Sequence, residues 1–129
     1  MTKRRKPIVE CFIPGRPVVP TTPMGRRNSP DPWTSQVIDG TIGLPRVAGR
    51  CELDVEFVIP LDRDPWEHPW EMSLTNLMKW LLDALEQTLF RSDPGGESQL
   101  VSISARQKVA RSKEKTGARI AVFRAPVPD

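Results

Sequence analysis

The chain has 129 residues, a formal net charge of +3 and 14 prolines. This length predicts one domain with a core of its own. The proline share, about twice the average, disfavours an all-helical fold, because proline lacks a backbone donor and fixes φ. No apolar run approaches the roughly 18 residues of a membrane span. Cys11 and Cys51 are too few for a disulfide framework, so we expect a soluble, cytoplasmic protein with reduced thiols.

Charge is unevenly distributed along the chain. The stretch from Glu52 to Glu97 contains eleven acids and three bases, the residues after it contain seven bases and two acids, and those before it contain nine bases and three acids. An acidic middle between basic ends suits a metal-dependent nuclease, because bases hold phosphates and carboxylates hold a divalent cation. A solvated surface with accidental segregation of charge accounts for the same distribution, so charge alone leaves both interpretations open.

The N-terminal half predicts two strands separated by a long loop, after a basic arm at residues 1–6. Residues 7–13 are β-branched and aromatic and run into a Pro-Gly turn, which is typical of a strand. Residues 14–50 show no periodicity and predict a long loop region with a short helix near Trp33 to Val37. Residues 51–59 alternate between apolar and mostly acidic side chains, which indicates a half-buried strand.

The C-terminal half predicts a helix and a β-hairpin. Apolar residues from Leu74 to Phe90 follow the i, i+3, i+4 spacing of an amphipathic helix. A second alternating run covers Gln99 to Val109, residues 110–117 form a basic hairpin tip, and Ala118 to Phe123 close the hairpin before a frayed tail at 124–129. We therefore expect an α+β domain over the whole chain: two layers, with a small mixed β-sheet, one main helix and a C-terminal β-hairpin.

Several short motifs surround the predicted helix: Ser73-Leu-Thr-Asn-Leu-Met-Lys79, Asp83-Ala-Leu85 and Glu97-Ser-Gln-Leu-Val101. Together with Phe12-Ile-Pro-Gly-Arg-Pro-Val18 and the basic hairpin, they resemble, in order over residues 7–123, the RusA family of Holliday-junction resolvases. The resemblance implies a RusA-like fold and a homodimeric, Mg²⁺-dependent endonuclease. Its carboxylates would hold the metal beside the scissile phosphate, and its basic surfaces would bind branched DNA.

The chain departs from the family pattern where acids are expected. Ser73 and Thr75 occupy two of those positions, and Gly96 stands before Glu97 where the family has a second acid. Lys79 keeps its spacing of four residues after Thr75, and the resemblance implies that it orients water or stabilises charge. Hydroxyl groups bring no formal charge, so losing two carboxylates weakens Mg²⁺ binding by roughly several kcal/mol.

A displaced metal site is one way to restore the missing charge. If residues 71–75 run extended, Glu71, Ser73 and Thr75 project to one face. Glu71 and Glu97 would then be the anionic metal ligands, with the hydroxyls of Ser73 and Thr75 beside them, and Lys79, Glu71 and Glu97 would form the catalytic set. The alternatives are a solvated loop acid for Glu71 and a surface helix lysine for Lys79.

The basic residues near the C-terminus are candidate phosphate contacts, with a solvated hairpin tip as the alternative. The single histidine, His68, has no second ligand at zinc spacing and no serine in a nucleophile motif. Three functions remain open: a branched-DNA endonuclease, a catalytically depleted relative that binds branched DNA without cleaving it, and a dimeric interaction protein without a nucleic-acid role. The predicted nucleic-acid-binding residues are Arg106, Lys108, Arg111, Lys113, Lys115 and Arg119.

Overall fold

The computed structural model describes residues 6–17, 32–60, 73–90, 100–111 and 113–126. No helix within these ranges is long and apolar enough to cross a membrane. The predicted basic arm and tail fall largely outside them, at residues 1–5 and 127–129. The described elements are, in chain order, β1 (Val9–Pro14), α1 (Pro32–Thr41), β2 (Cys51–Ile59), α2 (Leu74–Glu86), β3 (Leu100–Val109) and β4 (Gly117–Arg124).

The four strands form one mixed sheet in the order β1-β4-β2-β3. β2 runs parallel to β3 and antiparallel to β4, and β4 is also antiparallel to β1. Val55 of β2 lies between Ala105 of β3 and Ile120 of β4. A mixed sheet with helices confirms the expected small α+β fold.

The expected C-terminal hairpin is wrong, because β2 lies between β3 and β4. Burial explains this order. Ala118, Ile120 and Val122 of β4 are at most 1% exposed, which suits a central strand. Most of β3 is exposed, which suits an edge. The chain therefore crosses the end of β2 between these two strands instead of turning back on itself.

The core lies between the sheet and the two helices. α2 buries the apolar face that its spacing predicts, with Leu77, Leu81 and Leu85 at most 1% exposed. The helix ends at Glu86 rather than at Phe90, and Phe90 turns inward as its N–H donates to the carbonyl oxygen of Leu85 over 3.0 Å. On β2, every second side chain packs into the same core: Cys51, Leu53, Val55, Phe57 and Ile59.

α1 occupies residues that the sequence assigned to a long loop, and it is longer than the short helix expected near Trp33. It buries Trp33, Val37 and Thr41, which are spaced four apart, and Ile38 packs against the core beside them; with Thr41 polar, only three core-facing residues of α1 are apolar and give little periodic signal. Thr41 Oγ1 lies 2.7 Å from the Val37 carbonyl oxygen and 2.8 Å from Thr88 Oγ1. These bonds satisfy two buried hydroxyls where the ends of the two helices meet.

The strands define two ends of the sheet. The Val47 N–H, just before β2, donates to the carbonyl oxygen of Leu89 over 2.8 Å, so the C-terminal end of α2 lies where β2 begins. The opposite end, where β2 and β3 finish and β4 begins, is called here the exit end.

Gly117, at the exit end, tests the close packing of β4 on β1. Its φ is +149°, and a methyl group there would meet the carbonyl oxygen of Ile13 and, at 2.9 Å, the ring of Phe12. We expect Gly117→Ala to lower the free energy of unfolding by about 3 kcal/mol, measured by urea denaturation. Gly43→Ala is the matched control, because nothing lies within 4 Å of its added carbon. Equal stability of the two variants would contradict the described packing.

Candidate nucleic-acid interface

The start of α2 carries the RusA-like motif, and Ser73 caps the helix there. Its backbone is extended (φ −60°, ψ 125°), and its Oγ accepts the N–H of Asn76 over 3.5 Å. Ser and Thr are favoured at this position because their oxygen satisfies a free N–H of the first turn. Thr75 and Lys79 are exposed, and the first turn contains no acid. The start of α2 therefore presents hydroxyls in its first turn, and Lys79 one turn later, without a carboxylate in the first turn.

The predicted metal ligands are not brought together by the described residues. Glu71 and Glu97 lie outside the described ranges, so only Ser73 and Thr75 of that set can be placed. Within those ranges, no group of three or more His, Cys, Asp or Glu side chains is arranged to hold a metal ion. Mg²⁺ prefers carboxylate and water oxygens, and the two hydroxyls do not meet that preference alone. The metal site remains a prediction.

A row of charged side chains crosses the sheet on the face opposite the helices. Phe12, Arg119, Glu56 and Arg106 occupy adjacent positions on β1, β4, β2 and β3. Arg106 Nε lies 2.9 Å from Glu56 Oε2, and its Nη1 lies 3.2 Å from Asp54 Oδ1. Arg119 Nε lies 3.7 Å from Glu56 Oε1, and its guanidinium stands 5.4 Å from the centre of the Phe12 ring. Two predicted phosphate contacts are thus held by carboxylates.

This charged face is acidic as a whole. Its hydrogen bond to Glu56 raises the pKa of Arg106 above the ordinary arginine range, and Asp54 adds to the effect. The row borders a shallow pocket of about 330 Å³, which Glu10 also lines, and Glu52 lies two residues before Asp54 on the same face of β2. Carboxylates outnumber guanidinium groups here, so phosphate contact by Arg106 and Arg119 stays a prediction that requires their ion pairs to open.

The connection between β3 and β4 holds a second set of cations, all exposed, called here the basic loop: Arg111, Lys113 and Lys115. Glu114 organises it. Its Oε1 accepts the Arg111 N–H over 2.9 Å, and its Oε2 lies 2.8 Å from Lys108 Nζ. The Thr116 hydroxyl donates to the Gly15 carbonyl oxygen over 2.8 Å, which ties the loop to β1.

Lys113 of the basic loop has an unusual backbone conformation. Lys113 has a φ of +71°, and it is the only non-glycine residue in the described ranges with positive φ. The left-handed conformation costs a residue with a Cβ about 1–2 kcal/mol. The Glu114 N–H bond to the Arg111 carbonyl oxygen, 2.9 Å long, closes the turn that holds it. Lys113 therefore lies between two residues that this bond joins.

The basic loop lies at the exit end of the sheet. The Ala110 N–H donates to the carbonyl oxygen of Ile59 over 2.7 Å, where β2 finishes, and Gly117 begins β4. The structure therefore places half of the predicted phosphate contacts at the exit end. The others are engaged by acids: Arg106 and Arg119 on the sheet face, and Lys108 with Glu114.

Comparisons with protein-family models, with curated proteins and with solved structures give no match to this chain. The resemblance to the RusA family therefore rests on the sequence motifs alone.

The sequence analysis missed the acidic row that holds the arginines. The alternation of β2 already placed Glu52, Asp54 and Glu56 on its non-core face. Their partners depend on which strands flank β2, and the expected hairpin placed β3 and β4 side by side. With β2 between them, Glu56 lies opposite both Arg106 and Arg119.

The Glu114 carboxyl gives a pH-dependent test of the basic loop. The Arg111 N–H first, and Lys108 second, hold the pKa of Glu114 below its ordinary value. We expect Lys108→Met to raise this pKa only in part, because the bond from Arg111 remains. The stabilisation by Glu114 is present above its unfolded-state pKa and is lost as pH falls through the lowered folded-state pKa.

An NMR titration of the Glu114 carboxyl carbon measures both effects. Lys79→Met is the matched control, since it removes the same charge from α2. A Glu114 pKa that stays the same in Lys108→Met would contradict the described ion pair.

Proposed function

We propose that this protein binds branched DNA as a homodimer through the basic loop, in the manner that its resemblance to the RusA family implies. One observation carries the proposal. Arg111, Lys113 and Lys115 are exposed, and among the described residues no carboxylate forms an ion pair with their side chains. These are the cations of the predicted set that are available to phosphate.

Two further features support an anionic partner. The first turn of α2 has no acid, so its own side chains do not offset the positive end of the helix dipole. The sheet face is acidic and repels phosphate, which favours approach of DNA from the exit end rather than across the face. Phosphate contacts carry no base information, which suits recognition of DNA shape. A four-way junction has two-fold symmetry, which matches a two-fold dimer.

Hydrolysis of the phosphodiester is the chemistry that the resemblance adds, with Mg²⁺ as the cofactor. Bound Mg²⁺ would stabilise charge on the phosphoryl oxygens and activate water. Glu71 and Glu97 are the acids proposed to hold it, and Lys79 is proposed to act beside it. Because Ser73 caps α2 and no carboxylate stands on its first turn, binding without cleavage is the second candidate.

A double substitution tests DNA binding. Removing two phosphate contacts by Arg111→Ala with Lys113→Ala should reduce four-way-junction affinity on the order of 10- to 100-fold near 0.1 M salt, and lower the slope of log K against log salt by about 2. Gel shift and fluorescence anisotropy at several salt concentrations measure both.

Arg46→Ala with Arg50→Ala is the matched control. Both arginines are exposed near the start of β2, at the end of the sheet opposite the basic loop. This control removes the same charge, so an equal loss of affinity in the two double variants would show that only net charge matters. Absence of any wild-type shift at low salt would reject DNA binding.

Cleavage is tested on the same junction with Mg²⁺ or Mn²⁺. If the protein is an endonuclease, the wild type should nick near the branch point, and Glu71→Gln and Glu97→Gln should each abolish nicking while leaving the gel shift intact. Asp83→Asn, on the exposed face of α2, should keep both. Nicking retained by both glutamine variants would reject the proposed metal ligands. A shift without nicking in the wild type would establish the second candidate.

A further inference from the structure

β3 is an edge strand whose first half is open. In the described sheet it pairs only with β2. Every residue from Val101 to Ser104 is exposed, although their side chains alternate between the two faces, so both faces of this stretch are accessible. On the helix side, Val101 is 43% and Ile103 is 47% exposed. An unpaired edge with apolar side chains is a template for pairing with another strand.

The opposite edge of the sheet lacks these properties. β1 has six residues, ends at Pro14 and is flanked by Pro7 and Pro17. Short edge strands and prolines block edge-to-edge association. β3 has ten residues, and the segment 100–105 contains neither proline nor charge. Among the described residues, β1 thus has the features that block edge pairing and the first half of β3 lacks them.

We propose that β3 is the interface between two copies of this chain, paired antiparallel about a two-fold axis at Ile103. In this register Ile103 lies opposite the partner's Ile103, and Val101 lies opposite the partner's Ala105. Ser102 lies opposite the partner's Ser104. The apolar side chains of the two strands meet on one face and the hydroxyls on the other, which is the self-complementary pattern that a two-fold interface needs.

Charge disfavours pairing through the second half of β3. Centred on Ile103, the pairing places Arg106 opposite the uncharged Leu100 of the partner subunit and leaves Lys108 beyond the paired stretch. A slip that centres the pairing on Gln107 would place Arg106 opposite the partner's Lys108. Like charges directly opposite each other destabilise a sheet. The cations in the second half of β3 therefore confine pairing to its first half.

The β3 pairing is the contact surface of the homodimer in the proposed function, and it rests on that proposal. Pairing through half of one strand buries less area than an obligate interface does. We therefore expect a dissociation constant of the dimer in the micromolar range. The two basic loops would lie at opposite ends of the joined sheet, beyond the Val109 ends of the two β3 strands, which would be about 40 Å apart at 3.3 Å per residue. Because oligomeric state is measured without DNA, failure of this interface is distinguishable from failure of DNA binding.

Sedimentation velocity of the full chain from about 1 to 200 μM, a range bracketing that expectation, tests the interface. The wild type should shift from monomer to dimer, and Ile103→Lys should stay monomeric. Ile42→Lys is the matched control, since Ile42 is 43% exposed at the end of α1, and it should dimerise like the wild type. Circular dichroism checks that each variant is folded. A monomeric wild type, a dimeric Ile103→Lys, or equal disruption by Ile42→Lys would overturn the proposal.

A cross-link tests the register. In a Cys11→Ser background, Ile103→Cys should form a reducible dimer on a non-reducing gel after mild oxidation, because each copy places this residue opposite itself. Ile42→Cys in the same background should not. No cross-link at position 103, or an equal yield at position 42, would overturn the register. The Arg111→Ala, Lys113→Ala variant should dimerise normally even where it no longer shifts DNA.

Discussion

The pairing of β2 with a parallel strand on one side and an antiparallel strand on the other is the constraint on which the remaining structure depends. One face of β2 is buried against the helices, and the other carries Glu52, Asp54 and Glu56. The parallel partner requires α2 to return the chain to the start of the sheet. The antiparallel partner requires the chain to cross the end of β2 after β3. That crossing is the basic loop, so its position follows from strand order.

The sequence predicted the elements better than their arrangement. The bounds of β2 match those predicted. A strand with one buried and one solvent-facing side has apolar and polar residues in alternation, and this pattern is visible in the sequence. The start of α2 matches as well. Its end was placed too late because Leu89 and Phe90 are apolar and buried, although the chain there forms turns. The adjacency of β3 and β4 was wrong, because proximity in sequence favours a hairpin and nothing local records an intervening strand. α1 was underestimated because only three of its core-facing residues are apolar.

The candidate site was likewise predicted in its residues but not in their arrangement. The sequence identified the cations, and the structure separates them into those held by acids and those that are not. That division depends on long-range register: Arg106 and Glu56 are 50 positions apart in the chain and 2.9 Å apart across the sheet. The proposed metal ligands Glu71 and Glu97 fall outside the described residues, so their arrangement and the RusA relationship stay predictions from sequence.

Glu114 has an effect beyond its hydrogen bonds. A carboxylate inside a cationic segment reduces the attraction of that segment for an anion, so its presence opposes binding at long range. It also fixes Arg111 and the turn at Lys113 before any anion arrives, and association then need not freeze a mobile chain. The basic loop thus exchanges some long-range electrostatic attraction for preorganisation. We therefore expect binding of DNA by the basic loop to depend more on the shape of the DNA than on the total charge of the loop.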